Sequence, residues 1–414
     1  MKKINYLDMV KTLLPEPEFE AFKDAYTKPI KKSIKILNNY GRAATIQHLT
    51  CDGRIFTPPS FSRKGKIYDD VLFVDKADKT SLGSHILHSD GKFYVQEMSA
   101  GMPAQIIDPK PGEIVLDMCG APGGKSIQLS DFVGKEGLVI SNEPSPARRK
   151  ALSSNLERCG AVNTIVTGYD GRQFGEILPE TFDKILLDAP CSGEGMQYKS
   201  EFKFYHWSPK YAKKLAKLQS QLLISAIKCL KVGGELTYST CTTNIFENEG
   251  VISEILALFG SKIELLNVNI DQKSAGIHIS SDTSFDTLKV ARFRPHIHHT
   301  GGFFIAKIKK LSSILTDTSN TFDEKQLQNS KKSPFTVIND LEQIYSLGLG
   351  KTAINCLSFL KSTYTVRATT PSSLYFLDKL YIQQIGLPIA KILTNGDIKP
   401  IRENLLKLSD NNAI

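Results

Sequence analysis

GEIVLDMCGAPGGK, residues 112–125, sets the fold. Ile114–Leu116 is a short continuous apolar run, which reads as a strand buried on both faces. A glycine turn follows, then SIQLSDFV with Ile127, Leu129 and Phe132 at helical spacing. Strand, glycine turn and helix in that order open a doubly wound sheet, in which ligands bind beyond the carboxyl ends of the strands. Outward from this point the alternation repeats. GLVISNEP is a second strand before the helix SPARRKALSSNLERCG, NTIVTGYD a third, and FDKILLDAP a fourth. The long helix YAKKLAKLQSQLLISAIKCLKVGG is expected to end at Gly233 and Gly234. GELTYSTCT is then a fifth strand and GGFFIAKIKK a closing one. Strands alternating with helices predict an α/β fold built on a parallel sheet.

The loop Cys119-Gly120-Ala121-Pro122-Gly123-Gly124-Lys125 lies where a ligand would sit. A tight structural turn explains its glycines equally well. As a ligand loop it lacks the G-x-G-x-x-G of dinucleotide binders. Gly124-Lys125-Ser126 could end a phosphate-binding loop, but the opening glycine would fall on Cys119, and Gly120 leaves only three intervening residues. S-adenosylmethionine is the third candidate. Glu143, ending the second strand, is placed to hold ribose hydroxyls, and Asp170, ending the third, to face the adenine. Each could instead be an acid at a helix N-terminus.

Two cysteines stand at strand ends: Cys191 after Asp188-Ala189-Pro190, and Cys241 after Ser239-Thr240. In a parallel sheet both point to the ligand edge. A lone buried cysteine is usually a small core hydrophobe, and Cys51, Cys159, Cys229 and Cys356 read that way. Cys119 reads as scaffolding of its loop. Seven cysteines at irregular spacing, without CxxC, suit free thiols in a reducing compartment. His296, His298 and His299 read as a polar loop rather than a metal site, because no cysteine or carboxylate stands at ligand spacing beside them.

The 414 residues are 41% apolar and 23% charged, ordinary for a soluble protein with a sizeable core. No run approaches the roughly 18 apolar residues of a membrane span. The N-terminal MKKINYLDMVKTLLPEPEFE lacks the apolar stretch of a secretory signal. The formal charge is +9, and Lys28–Lys66 holds nine basic residues against Asp52. That stretch is either a solvated face or a footprint for nucleic-acid phosphates. Within it, KPIKKSIKILNN alternates enough to form a strand with Ile34 and Ile36 on one face. Residues 312–324 (SSILTDTSNTFDE) read as a linker. Residues 325–414, with 11 basic and 6 acidic side chains, read as a small mixed module. The stretch YKSEFKFYHWSPK (Tyr198, Phe202, Phe204, Tyr205, Trp207) either stacks bases or packs.

These motifs resemble the RNA cytosine-C5 methyltransferases of the NOL1/NOP2/Sun family. The matching segments are VLDMCGAPGGKS, FDKILLDAPCSGEGM, LTYSTCTTNIFENEGVI, GKFYVQEMSAGMPA and HHTGGFFIAKI, spanning roughly residues 85–310. LGSHILHSDGKFYVQEMSA and IGLPIAKILTNGDIKP further resemble the bacterial ribosomal RNA branch that carries a C-terminal PUA-like domain. The resemblance implies a Rossmann-like class I methyltransferase sheet at 96–311. It also implies a basic RNA-binding region at 1–95, a linker at 312–324 and a PUA-like α+β RNA-binding domain at 325–414. S-adenosylmethionine is the implied cofactor, held by residues 119–125 with Glu143, Arg148, Asp170 and Asp188. Cys241 is implied to add to cytosine C6, Cys191 to assist release, Asp188 to hold the base edge, and Lys125 to line the same pocket. The implied substrate is small-subunit ribosomal RNA, for a cytoplasmic monomer with no metal. The same chemistry on transfer RNA, or a non-catalytic ribosome assembly factor, are the alternatives.

Overall fold

The computed structural model describes residues 6–26, 28–37, 42–51, 55–57, 71–76, 81–196, 207–270, 273–278, 285–315, 335–338, 358–362, 365–377, 380, 382–392 and 398–401. Four antiparallel strands near the N-terminus, β1 (Lys32–Ile36), β2 (Ile55–Thr57), β3 (Val71–Lys76) and β4 (Phe93–Val95), form a sheet in the order β2-β3-β1-β4. The central strands are β5 (Ile114–Asp117), β6 (Leu138–Asn142), β7 (Thr164–Thr167), β8 (Phe182–Asp188), β9 (Leu230–Thr240), β10 (Ile263–Leu266), β11 (Ala291–Phe293) and β12 (Phe303–Lys310). The remaining strands are β13 (Thr336–Val337), β14 (Ser358–Lys361), β15 (Thr365–Thr369), β16 (Gln384–Ile385), β17 (Leu387–Ile392) and β18 (Ile398–Pro400).

The central sheet runs β10-β12-β9-β8-β5-β6-β7-β16. Strands β5 to β9 are mutually parallel, as the alternation predicts. β10, β11, β12 and β16 are antiparallel to their neighbours, so the sheet is mixed rather than parallel throughout. Its strands are apolar on both faces. Leu116, Ile140, Ile185 and Leu187 pack toward Leu222, Leu223, Ala226 and Ile227 of the helix Pro209–Cys229. Val115, Val139 and Leu186 pack toward Ile107, Leu129 and Val133 on the other side. Burial on both faces is why these strands read as unbroken apolar runs rather than alternating ones.

Three features depart from the sequence reading or add to it. The long helix ends at Cys229, and Leu230 already pairs with Phe182 in β9. Gly233, at φ 84°, and Gly234 lie inside that strand, where the register with β8 shifts. β1 forms with Ile34 and Ile36 buried, but Lys35 is buried too and pairs with Asp131 at 3.3 Å, with its ammonium over the Phe132 ring. Lys35 thus belongs to the packing of β1 on the helix Gly124–Val133, not to a phosphate-facing surface. Arg54, Arg63, Lys64 and Lys66 lie outside the described residues. Third, β16 leaves the last module to pair with β7, and Leu360, Phe376, Ile382 and Ile385 extend the central core. Buried Arg367 seals this contact, donating to Ile385 O at 2.6 Å and to Glu157 at 2.7 Å. Residues 316–324 of the expected linker lie outside the description. No described helix is long and apolar enough to cross a membrane.

Candidate active site

The rim of the sheet is built in two halves. The first follows β5 and β6. Gly120 passes so close to β6 that a Cβ there would lie 2.0 Å from Ser141 Oγ, and its N–H donates to Asn142 O at 2.8 Å. Gly123 takes φ 115° to start the helix Gly124–Val133. Gly124 leaves room for the Tyr94 ring of β4, which a Cβ would approach to 2.8 Å. The helix Pro146–Arg158 clamps the same loop, with Arg148 donating to Ala121 O at 3.0 Å and Asn155 to Pro122 O at 2.8 Å. Buried Asn142 joins three strand ends: it donates to Met118 O and Tyr169 O and accepts from Thr167. Cys119 has its thiol pushed up, chiefly by burial and then by the nearby carboxylates.

Carboxylates surround this half. Glu143 is buried at the end of β6, accepts from Ser145 N at 2.9 Å and pairs with Arg148 at 3.0 Å. Asp117 is buried, and burial raises it to about 6. One of its oxygens accepts from Ser126, while the other has no side-chain partner. A buried carboxylate with an oxygen to spare beside a glycine turn suits a cationic ligand with hydroxyls to hold, as S-adenosylmethionine is. It does not suit a triphosphate, and Lys125, the cation a phosphate would need, is bound to Asp188 at 2.7 Å. Asp170 lies three residues past β7, not at its end. It caps the turn Gly171–Gln173 and is held low mainly by its bonds to Arg172, the helix-terminus role that its sequence position also allowed.

The second half follows β8 and β9. Their parallel register sets Asp188 against Ser239, so the residues just beyond each strand converge. The sulfurs of Cys191 and Cys241 lie 3.3 Å apart, a thiol contact and not a disulfide. The Cys191 thiol is pushed well up, first by its hydrogen bond to Cys241 and then by burial. Asp188 accepts from Lys125 on one oxygen and from Ser239 Oγ at 2.7 Å on the other. Burial works against the Lys125 charge, yet Asp188 and, more weakly, Asp117 and Cys241 hold its ammonium on. It also lies 5.7 Å from the Phe303 ring centre. Asp188, Lys125, Cys191 and Cys241 thus form one cluster.

Under the cysteines lies a polar network that the sequence reading missed: Ser192, Glu194, Gln219, Tyr238, Asn244 and Glu247, all buried. One signal was available. Gln219 interrupts the buried stripe of its helix (Ala212, Leu222, Leu223, Ala226), and a polar group there must have a partner. Trp207 packs with Tyr6, Phe19, Phe22 and Tyr26, so it is a core residue and not a base-stacking platform. Tyr198, Phe202, Phe204 and Tyr205 lie outside the described residues. His298 accepts from Arg294 N at 2.8 Å across its own turn, and His296 faces Glu18 at 3.3 Å. Among the described residues no group of His, Cys, Asp and Glu is arranged to hold a metal.

Comparison with known proteins places this arrangement. Residues 104–309 match the family described as 16S rRNA methyltransferase RsmB/F. Ribosomal RNA small subunit methyltransferase F of Shewanella loihica is 30% identical over 98% of this chain and 82% of its own length. The protein of that name from Salmonella arizonae is 36% identical over 75% of this chain and 63% of its own. Among solved structures, a methyltransferase homolog protein from Pyrococcus horikoshii is 30% identical. It superposes with a TM-score of 0.64 over 73% of this chain and 94% of its own. The mixed sheet is therefore the class I methyltransferase fold. The chain belongs to the RsmB/F family and is an S-adenosylmethionine-dependent rRNA (cytosine-C5)-methyltransferase.

Proposed function

We propose that Cys241 is the nucleophile, that Cys191 assists release, and that the RNA substrate is the small-subunit ribosomal RNA named in the relatives. The observation that carries this reading is the 3.3 Å approach of two thiols beside the Lys125–Asp188 pair.

Cytosine C5 is a weak nucleophile while the ring is aromatic. Addition of the Cys241 thiolate to C6 breaks that aromaticity and makes C5 enamine-like, which is covalent catalysis. A thiolate is needed, and a nearby cation favours one. Lys125, paired with Asp188, is the cation of this cluster, and the Cys191 thiol is pushed well up by its hydrogen bond to Cys241 and by burial. The family resemblance gives the attack to Cys241. Asp188, fixed by Lys125 and Ser239, is placed to accept from the base edge. S-adenosylmethionine, held by residues 119–125 with Glu143 and Arg148 beside them, supplies the methyl group when bound. Loss of the C5 proton, with Cys191 assisting, then lets the C6–S bond break and returns the Cys241 thiolate.

The target base must leave its stack to reach the two sulfurs. The segments 1–95 and 325–414 are proposed to hold the flanking RNA, the latter as a PUA-like module. The excess of basic residues, +9 over the chain, supports a polyanionic partner. Methyl incorporation into 16S rRNA tests the assignment. Cys241→Ala is expected to abolish it with cofactor affinity kept, and turnover near the wild-type rate would transfer the nucleophile role elsewhere.

A further inference from the structure

We infer that Glu247 is a positioning residue that sets the gap between the two cysteine sulfurs. The inference rests on the proposed roles of Cys241 and Cys191 and extends them to a side chain that touches neither sulfur.

The geometry is unusual for one carboxyl group. Fully buried, it accepts from four donors: Ser192 N at 3.0 Å, the Ser192 hydroxyl, Gln219 Nε2 at 2.7 Å and Asn244 Nδ2 at 2.7 Å. Two of these donors belong to the residue after Cys191. The Gln219 amide also donates to Pro190 O at 2.9 Å, the carbonyl just before Cys191. The Cys191 backbone is therefore gripped on both sides through one carboxyl group. The same group holds the Cys241 side. Asn244, three residues past Cys241, donates to it from Nδ2, and its Oδ1 accepts from the main-chain Glu247 N at 3.0 Å. At the end of the core, the Tyr238 hydroxyl of β9 donates to Glu247 O at 2.6 Å and lies 3.2 Å from Gln219 Oε1. A direct strap, Gly195 N to Cys241 O at 2.9 Å, completes the frame. Multiply accepted bonds in a dry interior are strong and rigid. The sulfur separation is thus set by side-chain bonds rather than by strand register alone.

Three readouts test this on the full-length protein: steady-state methylation of 16S rRNA, cofactor affinity, and the rate at which diamide joins Cys191 to Cys241. In the last, the two thiols are oxidised to a disulfide and the diazene is reduced to its hydrazine. For Glu247→Ala, kcat is expected to fall about 100-fold, as a misplacement near 1 Å costs. RNA KM and cofactor Kd are expected to stay within about threefold, and diamide crosslinking to slow about tenfold. Glu247→Gln keeps the volume and half the acceptors, so it should lie between wild type and Ala in both kcat and crosslinking. If the Ala variant does not fold, Gln219→Met, which releases Pro190 O, one carboxylate oxygen and the longer Tyr238 contact, must show the same split. Unchanged crosslinking with reduced kcat, or equal losses in cofactor binding and kcat, would overturn the inference. Activity persisting in Cys241→Ala would sink the nucleophile assignment instead, and would leave the crosslinking result standing.

Discussion

The two halves of the active rim hold their residues by opposite means. After β5 and β6 the loop is shaped by backbone: glycines that admit Ser141 and Tyr94, and carbonyls clamped by Arg148 and Asn155. After β8 and β9 the loops are shaped by buried side chains meeting at Glu247, with Glu194 beside it. A backbone-built half is most sensitive at its glycines. A side-chain-built half is sensitive at positions that never touch the reactants.

The sharpest way to break this contrast is at the Lys125–Asp188 pair, which bridges the halves. Lys125→Met removes the cation beside the sulfurs. Single-turnover methyl transfer is expected to fall about 100-fold. A rate within a few fold of wild type would show that another group serves the two sulfurs. Next is Gly120→Ala, whose Cβ would collide with Ser141. Cofactor affinity measured by calorimetry is expected to drop at least about tenfold, with a lower melting temperature. Glu247 variants, in contrast, are expected to leave cofactor binding in place, so equal behaviour in the two assays would erase the distinction between the halves.

The smallest effect concerns Glu194, raised to about 7 by burial and then by the charge of Glu247. A carboxyl group raised on folding favours the native state while it is protonated. Its contribution is full below the unfolded value of 4.5 and fades as pH climbs through about 7. Glu194→Gln should flatten this part of the stability profile between those limits, by no more than about 3 kcal/mol. Chemical denaturation at a series of pH values measures it. An undiminished slope in the variant would place the titration elsewhere.

The same contrast explains what the sequence made legible. Gly120, Gly123 and Gly124 announce themselves because backbone geometry needs that residue type, and the parallel strands because double-sided burial leaves apolar runs. Asp188, Lys125, Cys191 and Cys241 followed from strand ends and from the family resemblance. Glu247 and Asn244 stand in the quoted stretch TCTTNIFENE, yet their role depends on Ser192 and Gln219, which lie 55 and 28 residues from Glu247 in the chain. Lys35 looked like surface charge because its partner, Asp131, stands on another element. The early end of the helix at Cys229 was hidden because Leu230 and Val232 continue an apolar pattern while pairing has already begun. The docking of β16 on β7 had no local signal, since the edge it covers belongs to another part of the chain.

The central claim is a covalent bond from Cys241 to the RNA, released with help from Cys191. Its most direct measurement is denaturing electrophoresis of Cys191→Ala mixed with 16S rRNA and S-adenosylmethionine. The account predicts a protein–RNA band that survives denaturation in Cys191→Ala and vanishes in the Cys191→Ala/Cys241→Ala double variant. A band that persists in the double variant would contradict it.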